Sequence, residues 1–175
     1  DKLELLQDSF AVLTSQLTER DRVSIVTYAS GEEVVLEGAS GADAREIQRA
    51  IDKLRAHGAT NGEAGLKMAY EVAERNYIES GVNRIVMASD GDLNVGITSE
   101  SDLYDFVDSK RGTGIYLSVV GFGRGNYKDN KMETLADHGN GNYHYIDCLD
   151  EAKRVFGTKL LANLTPFADD VKVQV

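Results

Sequence analysis

The chain has 175 residues, enough for one domain with a core of ordinary size. With 42% hydrophobic residues and a single proline it is neither a mainly disordered nor a proline-rich polypeptide, and no apolar run approaches the roughly 20 residues that span a bilayer. Its 29 acidic against 19 basic residues give a net charge of −10, which repels nucleic acid and anionic membrane and favours cations or basic partners.

Leu3, Leu6, Phe10, Leu13 and Leu17 recur at spacings of three and four, so Asp1 to Leu17 is predicted to be a helix. Arg22 to Ala29 is rich in β-branched and aromatic residues and reads as a strand. Ser30-Gly31 separates it from a short second strand, Glu32 to Leu36, in an antiparallel hairpin at a sheet edge. A helix over Ala42 to Leu54 presents Ile47, Ala50, Ile51 and Leu54 inward, and the loop from Ala56 to Gly62 leads into another helix, Glu63 to Tyr77, marked by Leu66, Ala69, Tyr70 and Ala73.

Val82 to Ala88 is almost continuously apolar after Arg84, the pattern of a strand covered on both faces, and it stops abruptly at Ser89-Asp90-Gly91. An aspartate at the carboxyl end of a buried strand sits where open α/β sheets place ligands, although Asp-Gly also forms ordinary turns. Thr98 or Ser99 is predicted to cap a helix anchored by Leu103, Phe106 and Val107. A second buried strand, Ile115 to Val120, precedes a flexible loop from Gly121 to Asn126. A short helix over Lys131 to Asp137, a turn at Gly139-Asn140-Gly141 and a strand over Asn142 to Ile146 follow. Leu149 to Leu164 is predicted as the last long helix, closed by Pro166, and Asp170 to Val175 alternates as a strand does. The expected fold is α/β: a doubly wound, mostly parallel sheet with one antiparallel edge strand and helices on both faces. The main domain is expected over residues 1–164, with 165–175 a junction or the start of a following strand.

Three pieces in order carry a resemblance: Gly58-x-Thr60 before a helix, Ser89-Asp90-Gly91-x-x-Asn94 after a buried strand, and Val119-Val120-Gly121-Phe122-Gly123 after the next. Together they resemble the von Willebrand factor A domain. Gly123-x-Gly125-Asn126-Tyr127, the run from Gly139 to Asp147 and the run from Asp169 to Val175 resemble a bacterial branch of it. The resemblance implies a Rossmann-like sheet whose rim holds Mg²⁺ or Mn²⁺ in a metal-ion-dependent adhesion site. It carries metal-ligand roles to Thr60 and Asp90, and assigns Ser89, Gly91, Asp92 and Asn94 to shaping the loop around the ion. Hydroxyl and carboxylate oxygens suit a hard cation, and neutral hydroxyls leave it electrophilic enough to take a carboxylate from a partner protein. Arg124, Asn126 and Tyr127 are candidate partner contacts in a rim loop. An extracytoplasmic or cell-envelope location follows from the resemblance alone.

The family's Asp-x-Ser-x-Ser motif is absent from the 175 residues; Asp8-Ser9 and Asp108-Ser109 lie inside helical patterns. The domain is therefore expected to lack its first strand and that strand's metal ligands, and to bind divalent metal weakly or not at all. A metal-free scaffold that binds neighbours through apolar surface or an open sheet edge is the alternative.

Rival chemistry is thinner. Gly121-x-Gly123-x-Gly125 has the wrong spacing for a dinucleotide turn, and no helix opens from it. His57, His138 and His144 do not stand at ligand spacing and read as surface or turn residues. Asp90 and Asp92 lack a nucleophile–base pair, so an α/β enzyme is a remote reading and no catalytic residue is assigned. Tyr143 and Tyr145 alternate along a strand and read as packing residues. Cys148 is alone, which excludes an internal disulfide, and reads as a small buried hydrophobe.

Overall fold

The computed structural model describes residues 2–28, 31–55, 62–89, 100–123 and 130–159. Helix α1 spans Lys2–Thr14 and lays Leu6, Phe10 and Leu13 on the core. It stops three residues short of the predicted Leu17. The hydroxyl of Thr14 donates to the Phe10 carbonyl (2.9 Å), and Ser15 and Gln16 donate to that of Val12 (2.8 and 3.1 Å). Such local bonds compete with continuation of the helix, and Ser15 and Gln16 stand in a turn.

Strand β1 (Arg22–Thr27) pairs antiparallel with β2 (Glu33–Ser40), as the hairpin reading expects. Strand β2 runs four residues past the predicted end at Leu36. Its register jumps between Val23↔Ala39 and Ile25↔Leu36, so β2 carries an extra residue there. Gly38 absorbs the bulge at φ +62°, and its N–H donates to the Ser24 hydroxyl at 2.9 Å. Helix α2 (Ala44–Asp52) buries Ile47, Ala50 and Ile51 against β2 and α1.

Helix α3 (Gly62–Arg75) leads to β3 (Asn83–Ser89), which pairs parallel with β4 (Ile115–Phe122), and β4 pairs parallel with β5 (Tyr143–Ile146). Between them lie α4 (Glu100–Lys110), a 3₁₀ turn at Arg111–Thr113, and α5 (Asn130–His138). Helix α6 (Leu149–Arg154) passes into a π-helical segment, Val155–Lys159. The remainder of the predicted last helix, Pro166 and the strand at 170–175 lie outside the described residues, as do Thr98 and Ser99.

Strand β4 separates two cores. Ile115, Leu117 and Val119 meet Leu66 and Tyr70 of α3, Leu103 and Val107 of α4, and Met132, Leu135 and Ala136 of α5. On the other face Val120 and Phe122 meet α1 and α6, with Phe10 edge-on to Phe122 (6.4 Å) and 6.0 Å from Phe156. Helices cover both faces of a parallel sheet, which is the expected α/β architecture. Among the described residues the strands form two sheets, β2-β1 and β3-β4-β5, rather than one. Cys148 corrects its reading: it is exposed, extended at the start of α6 (φ −151°, ψ 165°), with its carbonyl accepting the Ala152 N–H. Its place as the residue that opens a surface helix leaves it open to solvent.

Candidate functional site

Of the predicted site residues, Ser89 is described: it closes β3, is buried, and stands opposite Gly121 in the parallel ladder. Thr60, Asp90, Gly91, Asp92, Asn94, Arg124, Asn126 and Tyr127 lie outside the described residues. What the structure supplies is the frame from which their loops depart. Tyr28, the residue after β1, connects two parts of it. Its hydroxyl donates to the Ala88 carbonyl, one residue before Ser89. Its Cβ and Cγ press on Gly65, one turn into α3, where a side chain of any size would collide with them. The first turn of α3, the end of β1 and the end of β3 therefore share one rim. The chain entering α3 at Gly62, two residues past Thr60, and the chain leaving β3 at Ser89, one residue before Asp90, lie at that rim. Lys2 reaches it as well, its Cε 3.7 Å from where a Cβ on Gly123 would stand.

Gly121 and Gly123 are buried, and Gly121 is the seventh residue of β4 rather than the start of a flexible loop. A Cβ on Gly121 would stand 2.8 Å from the Tyr143 hydroxyl, and one on Gly123 would stand 2.9 Å from the Tyr145 hydroxyl. These glycines make room for tyrosines of β5, both half-buried, in keeping with the packing role read for them. A strand-interior glycine filled by a neighbouring ring is not a phosphate-binding turn.

Two polar arrangements have no signal in the sequence because their partners are distant along it. Arg84 of β3 donates to the Ser118 hydroxyl (2.6 Å) and lies over the Tyr116 ring (5.4 Å), and burial holds its guanidinium below the ordinary arginine range. His138, read as a surface or turn histidine, closes α5; its Nδ1 is 2.9 Å from an Asp108 carboxylate oxygen, and its ring stacks on Tyr104 at 4.9 Å and 4°. Among the described residues no three His, Cys, Asp or Glu side chains cluster as a metal site, and no helix is long and apolar enough to cross a membrane. Hydroxyl and carboxylate oxygens, the donor types expected of Thr60 and Asp90, suit a hard divalent cation.

The family profile described as von Willebrand factor type A domain matches residues 1–157. The chain is 43% identical over 175 residues to the uncharacterized protein YfbK of Escherichia coli (strain K12); the match covers all of this chain and 30% of that protein, so the chain spans less than a third of that relative's length. Among solved structures it is similar to a von Willebrand factor type A structure from Catenulispora acidiphila, with TM-score 0.72, 19% identity, and coverage of 89% of this chain and 36% of that one. It is also similar to proximal thread matrix protein 1 of the mussel byssus with a zinc-occupied MIDAS motif, with TM-score 0.70, 18% identity, and coverage of 92% and 40%. Both structural likenesses speak to fold. The profile match over most of the length, the parallel sheet flanked by helices on both faces and the order of the loop motifs together make this chain a member of the von Willebrand factor type A domain family.

Proposed function

We propose that the chain is a non-catalytic protein-interaction module whose rim holds Mg²⁺ or Mn²⁺ through Thr60 and Asp90, the ion accepting a carboxylate from a partner protein. The observation that supports this reading is the rim itself: Tyr28 ties the first turn of α3 to the end of β3, so the chain segments flanking Thr60 and Asp90 depart from one edge. The zinc-occupied MIDAS motif in the mussel byssus protein is in accord with divalent-metal binding on this fold. Ser89, Gly91, Asp92 and Asn94 shape the loop, and Arg124, Asn126 and Tyr127 contact the partner. When bound, the ion supplies an electrophilic position for the partner carboxylate; the chain's own part is to hold hydroxyl and carboxylate donors at fixed spacing. An extracytoplasmic or cell-envelope setting, with a protein partner and neither nucleic acid nor a membrane span in this segment, completes the reading.

The test is Mn²⁺-dependent partner capture by the full-length polypeptide. Thr60→Ala and Asp90→Ala are each expected to weaken it on the order of 100-fold while leaving the thermal midpoint nearly unchanged. Undiminished metal affinity in both variants removes the site assignment. Calorimetric titration of the 175-residue chain with Mg²⁺ or Mn²⁺ is expected to give weak binding, since the Asp-x-Ser-x-Ser donors are not in it.

The separation of β1 and β3 into two sheets favours a second reading, a metal-free scaffold that engages neighbours through an open strand edge. A single tight metal site on the 175-residue chain excludes it.

A further inference from the structure

The carboxyl end of β4 has buried glycines at 121 and 123, and β5 fills the space above both. In the β4–β5 ladder Tyr143 stands opposite Val119 and Tyr145 opposite Gly121. Their hydroxyls lie farther along. That of Tyr143 is 2.8 Å from the Cβ position of Gly121, and that of Tyr145 is 2.9 Å from the Cβ position of Gly123. Each ring therefore leans two residues toward the rim, about 6.6 Å at the rise of a strand. At both glycines the hydroxyl is the nearest atom that a side chain would meet.

Ser89 lies on the same face. It follows Ile85 and Met87 in the alternation of β3, and both of those pack with Tyr143 in the core that α3, α4 and α5 cover. Its ladder partner is Gly121, about 4.8 Å away across the sheet. The Tyr143 hydroxyl thus stands over the neighbour of a buried serine, while from the other flank the Tyr28 hydroxyl donates to the carbonyl of Ala88. Packing alone does not call for phenols at 143 and 145, because phenylalanine fills the same space without taking a hydroxyl from water. What the hydroxyls add is a pair of polar groups at the level where β3 and β4 leave the sheet.

We propose that Tyr143 and Tyr145 are positioning residues of the rim, their hydroxyls fixing Ser89 and the carboxyl ends of β3 and β4 in the arrangement that divalent-metal binding needs. The proposal rests on the metal-dependent reading above and gives β5 a part in it. Neither tyrosine is assigned to the ion itself; each acts through the strand end beneath its hydroxyl, as groups behind a metal's ligands do.

The test is titration of the full-length polypeptide with Mn²⁺, the free ion being read by electron paramagnetic resonance, beside thermal unfolding in chelator. The Tyr143→Phe, Tyr145→Phe double variant is expected to bind Mn²⁺ on the order of 10-fold more weakly. Its midpoint in chelator is expected to stay within about two degrees of the parent, since both rings remain. Gly123→Ala gives an independent arm. Its methyl displaces the Tyr145 hydroxyl, while the other atoms near it, Lys2 Cε and Tyr145 Cζ, stand at 3.7 and 3.8 Å. It is expected to weaken Mn²⁺ binding in the parent and to add no further loss in the Tyr145→Phe background. Unchanged Mn²⁺ affinity in the double variant overturns the proposal, as does a loss from Gly123→Ala that is equally large with and without the Tyr145 hydroxyl. Asp90→Ala separates the two levels. If it loses Mn²⁺ while the tyrosine variants keep it, the proposal alone fails; if it keeps Mn²⁺, the metal reading fails and the proposal with it.

Discussion

A Cβ on Gly65 would stand 2.3 Å from the Tyr28 Cβ, and the close approach of the two residues is what joins helix to strand at the rim. Gly65→Ala places a methyl against the Tyr28 Cβ, which has no flexible end to yield. It is expected to cost about 1–3 kcal/mol in urea unfolding. Tyr28→Phe keeps the ring on Gly65 and removes the bond to Ala88, so a loss of about 1 kcal/mol is expected there. Tyr70 is the second residue with a measurable consequence. It is 1% exposed, edge-on to Phe106 at 5.7 Å, and burial pushes its phenol up from 10.0 to about 12. A raised folded value means its contribution is complete below pH 10 and is lost as pH rises toward about 12. Alkaline titration followed by phenolate absorbance is expected to show a late step that Tyr70→Phe removes.

At the scale of elements, strand β5 depends on a glycine that the turn Gly139-Asn140-Gly141 brings under β4. A Cβ on Gly141 would fall against the Leu117 carbonyl, a backbone atom that cannot swing aside, whereas Gly112 in the 3₁₀ turn has nothing within 4 Å. Gly141→Ala is expected to unfold the protein at several degrees lower temperature and Gly112→Ala to leave the midpoint within about a degree. The turn is legible in the sequence because glycine and asparagine mark it; that its second glycine is sterically required is not, since Leu117 is distant in sequence. The same division runs through the other elements. Periodicity locates α1, α3 and α5 and the apolar runs of β3 and β4, because burial on one or both faces writes itself into local order. Ends fall elsewhere than periodicity places them where side chains act on the backbone: Thr14, Ser15 and Gln16 end α1 early, and Gly38 carries β2 past Leu36. Cys148 departs from its expected burial because residue type gives an average and says nothing of a position at a helix start. The roles given to Thr60 and Asp90 come from motif order, and the rim that would unite them comes from Tyr28, whose contacts with Gly65 and Ala88 reach far from it along the chain.

For the whole molecule the governing quantity is charge. The ion pairs named here are on the surface of the fold: Arg75 with Glu37 at 2.9 Å, Lys110 with Glu74 at 2.6 Å, Arg154 with Glu151 at 2.5 Å. The Arg75 guanidinium holds the Glu37 carboxyl below its ordinary range, so this pair helps above the unfolded carboxylate value and fades as pH falls through the lowered one. Exposed pairs of this kind contribute little and weaken with salt. Against them stands a net charge of −10, whose self-repulsion salt also weakens. The uncompensated charges act over the whole surface and the pairs act singly, so repulsion outweighs the pairs. The thermal midpoint of the 175-residue chain is expected to rise as NaCl is brought from near zero to about 0.15 M, where the screening length is about 8 Å. A falling midpoint would give the surface pairs the greater share. MgCl₂ at matched ionic strength then separates screening from binding. On the proposed metal reading the 175-residue chain, which carries no Asp-x-Ser-x-Ser, is expected to gain nothing beyond the NaCl effect. A complete rim adds RT ln(1 + [Mg²⁺]/Kd), a gain that grows with the logarithm of magnesium after screening has saturated and that Asp90→Ala abolishes.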